Sequence, residues 1–277
     1  MARILIAGCG RIGTRLGLSL ADQGHAVTGL RRRPEPLPAP LETRRADLGN
    51  PARLREALAD LAAERVYYIA PPDQFADETY RQAFVVGLEN LLGALPEPPG
   101  RLVFVSSTGV YGQNDGEWVD ETSATEPASF SGRRLLEAEA LVHDGAREPV
   151  VVRFGGIYGA GRERMLEKVR RGEPCNDDPP RYTNRIHEDD CVDVLAHLGA
   201  LPEPAPVYLG VDSAPCTQCE LMDWLAGRLG LPRPPRGGET PVRGGNKRCR
   251  NERLLASGYR LQFPTYREGY SAMLRAN

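Results

Sequence analysis

A five-residue apolar run near the start of the chain passes directly into a glycine loop, and this feature constrains the fold most. "RILIA" (residues 3–7) is followed by "GCGRIG". A G-x-G-x-x-G sequence between a strand and a helix makes a tight turn, lets a pyrophosphate approach the backbone and packs the helix on the strand. The free amides at the helix start favour anions. Unless the glycines only connect two elements, we expect a dinucleotide to bind at Gly8, Gly10, Arg11, Ile12 and Gly13.

Further along the chain, apolar runs alternate with helical patterns. The runs are continuous, which is typical of strands buried on both faces of a sheet. Between them, apolar residues recur at three- and four-residue spacing, as along one side of a helix. Repeated strand and helix units imply right-handed crossovers between parallel strands, so we predict an α/β fold, a Rossmann-type doubly wound parallel sheet. The strand segments are residues 3–7, 26–30, 66–70, 101–107 and 149–154, and the helical segments are 13–24, 51–64, 78–95 and 133–145.

The composition changes after about Gly155, where glycine, proline and charged residues separate shorter elements. Such segments contribute little to a core, and loops of this kind carry ligand contacts at the carboxyl edge of a parallel sheet. We therefore expect residues 1–155 to form an NAD(P)-binding domain. Residues 156–277 are expected to form a mixed region that completes the sheet and builds a small C-terminal substrate lobe.

Charge and hydropathy argue against two classes of partner. The formal net charge is −2, which gives no long-range attraction to nucleic acid or an acidic membrane. No segment approaches the roughly 20 apolar residues of a membrane span. The six cysteines show no regular framework, and a chain of this length does not need disulfides to fold. We expect a cytoplasmic protein with a small-molecule substrate, no nucleic-acid or membrane partner and no metal.

The end of the second strand distinguishes the two nicotinamide cofactors. An acid at this place would accept hydrogen bonds from the ribose 2′-hydroxyl of NAD, but "HAVTGLRRR" carries Arg31, Arg32 and Arg33. A guanidinium can bind a 2′-phosphate through two hydrogen bonds. The sequence therefore favours NADP, bound by Arg31 and Arg32, and leaves NAD open. The alternative is a solvated arginine cluster in a loop.

Several longer motifs carry a family resemblance. They are "RADL" around Asp47, "VFVSSTGVYG" (103–112), "VVRFGGIYGAGR" (151–162) and "RIHEDDCVDVL" (185–195). Together with the glycine loop, they resemble the extended short-chain dehydrogenases/reductases, which include nucleotide-sugar epimerases and dehydratases. The resemblance implies that Asp47 lies beside the adenine and that Ala70 in "IAPP" runs past the cofactor ribose. It also implies that Ser107, with Thr108 next to it, contacts the reacting substrate oxygen.

The catalytic tyrosine and lysine of that family are missing from "PASFSGRRLLEAEAL" (127–141). In typical members, Tyr-x-x-x-Lys supplies a phenol for proton exchange, and the lysine lowers its pKa and holds the nicotinamide ribose. One register places Phe130 and Arg134 at these positions, and the other places Ser131 and Leu135. Neither provides a phenol, although Arg134 could hold the ribose in the first. The pattern is similar to an atypical bacterial subgroup in which the dyad is likewise not recognisable.

Other side chains could supply the missing proton. Tyr158 follows the "VVRF" strand at the predicted substrate edge, and Tyr111 follows Ser107; packing of both rings against the loops is the alternative. His187 has a suitable intrinsic pKa, but it also fits the start of a helix. The Cys216-x-x-Cys219 pair lacks further ligands at zinc spacing, so we interpret it as part of a capped helix start.

These features predict an NADP-dependent oxidoreductase or epimerase/dehydratase-like enzyme that acts on a small polar carbonyl or hydroxyl compound. Ser107, Thr108 and Tyr158 are the candidate catalytic residues. The competing hypothesis is a sensor or interaction protein that binds NAD(P) and has lost the chemistry. The sequence leaves a homodimer open, formed through helices near 78–95 and 131–144.

Overall fold

A computed structural model describes residues 1–33, 35–237 and 245–276 of the chain. Thirteen strands are described within these ranges. In chain order they are β1 (Arg3–Ala7), β2 (Ala26–Arg31), β3 (Glu42–Arg45), β4 (Arg65–Tyr68), β5 (Arg101–Ser107), β6 (Glu117–Val119), β7 (Glu148–Phe154), β8 (Gly156–Tyr158), β9 (Tyr182–Thr183), β10 (Arg185–His187), β11 (Val207–Gly210), β12 (Cys216–Thr217) and β13 (Lys247–Cys249).

Ten α-helices lie between and after these strands. They are α1 (Arg11–Asp22), α2 (Pro51–Leu58), α3 (Asp77–Tyr80), α4 (Gly87–Ala94), α5 (Phe130–Gly145), α6 (Arg164–Arg170), α7 (Glu188–Ala200), α8 (Gln218–Leu229), α9 (Glu252–Ala256) and α10 (Tyr266–Ala276). A π-helical turn, Arg81–Val86, joins α3 to α4, so the helical segment predicted at 78–95 is one helix with an irregular middle.

Seven strands form one parallel sheet in the order β11-β7-β5-β4-β1-β2-β3. Strand β1 lies inside the sheet between β4 and β2, and its Ile4, Leu5 and Ile6 are fully buried, as expected of a strand covered on both faces. The chain winds outward from β1 in both directions, so loops diverge at the carboxyl ends of β1 and β4. This is the edge at which ligands bind in doubly wound sheets, and the predicted fold class is confirmed.

Helices cover both faces of the sheet. Side chains of α2, α4 and α5 pack on one face, and side chains of α1 and α7 pack on the other. The first core includes Leu54, Leu88 and Leu135, and the second includes Leu16 and Leu195. Among the helices of the described residues, none combines the length and apolar character that a bilayer crossing requires.

The second region both extends the sheet and builds separate elements. Its β11 pairs with β7 in the main sheet, while three two-stranded sheets, β8 with β10, β9 with β12 and β6 with β13, stand apart. A third core cluster joins side chains of α6, α8 and α10, among them Leu166, Leu221 and Tyr270. The division into 1–155 and 156–277 stays a prediction.

The cysteines differ from the sequence expectation. Cys175 and Cys219 form a disulfide across 44 residues, a pairing that the sequence pattern did not predict. The Cys175 backbone amide donates to Pro235, and this pairing brings its segment to α8. Cys216 remains a buried free thiol. The expected helix cap is present, since Thr217 Oγ1 accepts a hydrogen bond from the Glu220 amide at 3.1 Å.

Candidate functional site

The glycine loop connects β1 to α1 in a conformation that requires glycine. Gly8 has φ +88°, and a Cβ there would lie 2.5 Å from the backbone nitrogen of Ala70. A Cβ at Gly13 would lie 2.9 Å from the carbonyl oxygen of Gly8, so helix and strand pack closely. Gly10 caps α1 without a side-chain bond, and nothing lies within 4 Å of its Cβ position. The first amides of α1 therefore face open space, while the Ile12 side chain is buried in the core.

A cavity of about 600 Å³ opens at this loop, at the carboxyl ends of β1, β2 and β4. It contains polar groups from several elements that are distant in sequence. Its lining includes Gly8, Gly10, Arg11, Arg31, Arg32, Arg33, Asp47, Ala70, Asp73, Glu78, Thr79 and Gln82. A cavity of this size matches the range of small-molecule and cofactor sites.

Arg31 ends β2 with its side chain largely buried in the wall of this cavity. The side chain is 19% exposed, and its Nε has no hydrogen-bond partner among the described residues. The nearest acid is Glu35, at 3.8 Å from Nη2. A buried donor without a partner is costly. Arg32 instead forms two hydrogen bonds with Asp73, at 2.6 and 2.8 Å.

Asp47 and Ala70 lie in the same cavity, on the strands that flank β1 and β2. Asp47 follows β3, and its Oδ1 accepts the Gly49 amide at 2.8 Å. Ala70 follows β4 and packs its backbone against Gly8. The structure thus brings most of the predicted cofactor residues to one cavity, whereas Ile12, Gly13 and Arg134 do not line it.

Sequence reasoning missed the wall opposite the arginines. Asp73, which binds Arg32, lies in the loop after β4, and Glu78, Thr79 and Gln82 follow in the next helix. The sheet topology could have predicted these residues, because the carboxyl ends of neighbouring parallel strands meet at one edge of a sheet. Residues after β4 therefore lie near residues after β1.

Ser107 and Thr108 lie where β5 ends, outside the lining of this cavity. Ser107 is half-buried and caps a short 3₁₀ turn, because its Oγ accepts the Gly109 amide at 3.1 Å. Thr108 is buried. The bond to Gly109 occupies one lone pair of the Ser107 hydroxyl and leaves its hydrogen available to a substrate oxygen.

The start of α5 shows what stands in place of the dyad. Phe130 packs against Phe75 and Tyr80, with ring centroids 4.9 and 5.5 Å apart. Ser131 shares a hydrogen bond of 2.9 Å with Ser129, and Leu135 is buried in the core. Neither register therefore places a phenol at this helix start.

The Arg134 side chain is held by acids of α3 and α5. Its guanidinium donates to Asp77 at 2.8 and 3.0 Å and to Glu137 at 2.9 and 3.0 Å. These bonds use most of its donors on two exposed carboxylates. To hold a ribose, Arg134 would first have to leave both partners.

Tyr158 is enclosed in the C-terminal lobe. Its ring stacks on Tyr270 at 4.4 Å between centroids, it is 1% exposed, and burial raises the pKa of its phenol far above the usual value. A Cβ at Gly269 would lie 1.9 Å from its hydroxyl oxygen, so α10 covers that group. The hydroxyl has no hydrogen-bond partner among the described residues.

Tyr111 and His187 are buried as well. The Tyr111 hydroxyl accepts a hydrogen bond from Arg153 at 2.8 Å, and burial raises the pKa of the phenol to about 12. His187 caps α7, because its Nδ1 accepts the Asp189 amide at 3.2 Å. Burial lowers the pKa of this imidazole, and its ring packs on Phe263. As placed, both side chains serve packing and hydrogen bonding.

The chain is similar to several proteins of one kind. A model of the NAD dependent epimerase/dehydratase family matches residues 4–200. Protein YeeZ of Escherichia coli strain K12 is 29% identical over 217 residues, which cover 75% of this chain and 77% of that protein. Epimerase family protein SDR39U1 of Homo sapiens is 28% identical over 291 residues, which cover 95% and 96%.

Solved structures give the same result. A Methylobacillus flagellatus protein assigned to the NAD-dependent epimerases/dehydratases is 42% identical, with a TM-score of 0.84 over 99% of this chain and 98% of that one. MoeE5 in complex with UDP-glucose and NAD is 25% identical, with a TM-score of 0.79 over 99% of this chain and 97% of that one. The similarity therefore extends over the whole length of the chain.

Proposed function

The chain belongs to the NAD-dependent epimerase/dehydratase family, and on that premise we propose that it is an NADP(H)-dependent enzyme acting on a small polar carbonyl or hydroxyl compound. The cofactor, when bound, supplies hydride transfer. Gly8, Gly10 and the start of α1 would hold its pyrophosphate. MoeE5 is described with UDP-glucose, so nucleotide sugars are among the substrates to test. We also keep a cytoplasmic location and a homodimer as predictions.

The preference for NADP rests on Arg31. This side chain has a buried, unpartnered Nε in the cavity wall, and Arg33 lines the same cavity. A 2′-phosphate offers several charged oxygens to a guanidinium fork, whereas a 2′-hydroxyl offers a single neutral one. Asp47 is the one predicted cofactor residue with a negative charge, and its Oδ1 is engaged by the Gly49 amide. The cavity therefore favours the phosphorylated cofactor.

Substitution of Arg31 tests this preference directly. We expect Arg31→Ala to weaken NADPH binding about 10- to 100-fold, the equivalent of roughly 1.5–3 kcal/mol for hydrogen bonds to a charged group. NADH binding should change less than about twofold. Arg3→Ala is the control, because Arg3 begins β1 and lies at the opposite edge of the sheet. Equal weakening of both cofactors, measured by nicotinamide fluorescence titration, would contradict the proposal.

Ser107 is the residue that we propose to bind the substrate oxygen. The hydroxyl is fixed by the Gly109 amide and lies at the carboxyl end of β5, on the edge where the ligand is expected. A serine hydroxyl has a pKa too high to act alone as a proton donor. We therefore assign it hydrogen bonding to the substrate and leave proton transfer to an ordered water. The enclosed Tyr158 is not part of this proposal.

The second candidate is an NADP(H)-binding sensor without turnover, and Leu135 is the observation that favours it. In one of the two registers this leucine takes the place of the lysine, and it is 4% exposed in the core. A protein without enzymatic activity does not need a lysine at that position and can carry an apolar side chain there. Such a protein would bind NADPH and turn over no substrate.

A turnover assay with Ser107→Ala separates the two candidates. We expect purified protein to oxidise NADPH with a member of a panel of carbonyl compounds, or to reduce NADP+ with, or isomerise, a member of a panel of hydroxyl compounds and nucleotide sugars. We expect Ser107→Ala to lose about 100-fold or more in kcat, as for lost transition-state hydrogen bonds. NADPH affinity should stay within about twofold. Turnover unaffected by the substitution would remove Ser107 from the mechanism. NADPH binding without turnover on any panel member would favour the sensor.

A further inference from the structure

One ion pair links the cofactor loop to the second region of the chain. Arg11, the first residue of α1, donates from Nη2 to Glu188 Oε1 at 2.8 Å. Glu188 is the first residue of α7, 177 positions further along the chain. Arg11 lines the cofactor cavity with its side chain 47% exposed, whereas the Glu188 side chain is 3% exposed. The pair therefore has one open side, toward the cavity.

The burial of Glu188 is costly in this arrangement. Its Oε2 has no hydrogen-bond partner among the described residues, and a buried carboxylate with an unpaired oxygen loses solvation that the remaining bonds replace only in part. An acid at a helix start is favourable, but Asp189 and Asp190 already provide that in α7. Stability alone therefore does not explain the pair.

The surrounding loop is built to accept both side chains. A Cβ at Gly159 would lie 2.3 Å from Glu188 Cγ, and a Cβ at Gly161 would lie 2.8 Å from Arg11 Nη1. Both glycines belong to the turn that follows β8. Larger residues at either position would displace the ion pair, so the turn and the pair fit each other.

The Arg11 guanidinium has N–H donors beyond the one that binds Glu188. Arg11 carries five N–H groups, and within the described part of the chain the bond to Glu188 is the single hydrogen bond that it forms. It stands at the start of α1, where the helix amides and the glycine loop favour a pyrophosphate. A bond to a buried acid restricts a long side chain that would otherwise be mobile.

We propose that Glu188 is a positioning residue for the cofactor, because it holds Arg11 at the glycine loop so that the free guanidinium donors contact the pyrophosphate. This inference rests on the proposed binding of NADP(H) but assigns a role to a residue outside the loop and the arginine cluster. It predicts that Glu188 affects binding only through Arg11, and only for ligands that contain the pyrophosphate.

The test compares NADPH with 2′-AMP, which has the adenosine and the 2′-phosphate but lacks the pyrophosphate. We expect Glu188→Gln and Arg11→Ala each to weaken NADPH binding about tenfold, the effect of one lost charged hydrogen bond. Binding of 2′-AMP should stay within about twofold. The double variant should be no weaker than Arg11→Ala, because the two substitutions remove one interaction. Glu188→Asp keeps the carboxylate and should restore part of the loss; it replaces Glu188→Gln if that variant does not fold.

Asp189→Asn is the matched control. Asp189 accepts a bond of 2.5 Å from Arg15 between the same two helices. Arg15 also lies 3.6 Å from Glu188 Oε1 through its Nη1, but neither Arg15 nor Asp189 lines the cavity. We expect this variant to bind NADPH like the wild type. Unchanged NADPH binding by Glu188→Gln, equal weakening of both ligands, or additive losses in the double variant would each overturn the inference while the proposed function stands. A wild-type protein that does not bind NADPH would overturn the proposed function as well.

Discussion

Two regions at the carboxyl edge of the sheet differ in how many of their predicted site residues lie together. On the side of β1 and β2, the glycine loop, the helix start and Arg31 surround one cavity of about 600 Å³. On the side of β5, Ser107 is present, but Phe130 and Leu135 pack among apolar side chains and Tyr158 is enclosed. Most of the residues predicted to bind the cofactor therefore line one cavity, whereas neither Phe130 nor Ser131 at the start of α5 supplies a phenol.

This difference shows that recognition and chemistry depend on different parts of the fold. Cofactor binding uses backbone amides and glycines, which the strand–loop–helix unit places whenever the sheet forms. The chemistry uses a few side chains on α5, which substitutions can remove without disturbing the sheet. We therefore expect substitutions in the glycine loop and substitutions in α5 to differ in their effects on stability and NADPH binding.

Gly8→Ala should have the largest effect, because it alters the glycine loop on the side of β1 and β2. The new Cβ would lie 2.5 Å from the Ala70 nitrogen, at a φ of +88°. We expect the free energy of unfolding to fall by about 3 kcal/mol or more and NADPH binding to be lost. Denaturant unfolding and fluorescence titration measure the two effects.

Gly24→Ala separates backbone strain from the close contact. Gly24 has φ +84°, but nothing lies within 4 Å of its Cβ position. This variant should lose only about 1–2 kcal/mol, the cost of a left-handed conformation in a residue with a Cβ, and bind NADPH normally. Equal losses in the two variants would show that the contact with Ala70 does not matter.

Leu135→Lys tests whether the side of β5 could regain its lysine. Leu135 is 4% exposed in the core beneath α5, so the variant would bury an ammonium group and remove an apolar side chain. We expect a loss of about 2–4 kcal/mol in unfolding free energy. Ala140→Lys on the exposed side of the same helix should change stability by no more than about 0.5 kcal/mol. A stable Leu135→Lys variant with new turnover would show that the side of β5 is closer to a catalytic site than its packing indicates.

The sequence predicts the central strands well, because β1, β4 and β5 are apolar runs buried on both faces. It misses β3 and β11 for physical reasons. The residues of β3 are "ETRR" at the sheet edge, where none is fully buried, so they give no hydrophobic signal. Strand β11 is short and lies between proline-rich segments. Its place beside β7 follows from a pairing that periodicity does not encode.

The same limit applies to the site. Gly8 and Arg31 are predictable because their roles follow from local spacing along the chain. The Arg11–Glu188 pair and the Cys175–Cys219 disulfide join segments that the tertiary fold brings together. No spacing rule identifies such partners. Local pattern therefore predicts the position of the glycine loop between β1 and α1, but it does not identify contacts between segments that are distant in sequence.

Asp212→Asn should have the clearest pH dependence of these substitutions, and near pH 4 it should have almost no effect on stability. Asp212 follows β11 in the second region and is 2% exposed; its Oδ1 accepts the Ala214 amide at 3.1 Å, and its Oδ2 has no hydrogen-bond partner among the described residues. Burial raises the pKa of this carboxyl from 3.8 to about 7, against the opposing charge of Arg185.

The folded protein therefore binds this proton more tightly than the unfolded chain, and the stability contributed by the neutral carboxyl is lost as pH rises from about 4 to 7. An asparagine stays neutral throughout, so Asp212→Asn should match the wild type near pH 4 and be more stable near pH 8 by several kcal/mol, at about 1.4 kcal/mol for each pKa unit. Asp115→Asn at an exposed position should show no such difference. Parallel pH profiles of unfolding for Asp212→Asn and the wild type would mean that Asp212 is ionised in the folded protein at neutral pH. In that case the second region would bury an ionised Asp212 carboxylate that the charge of Arg185 stabilises.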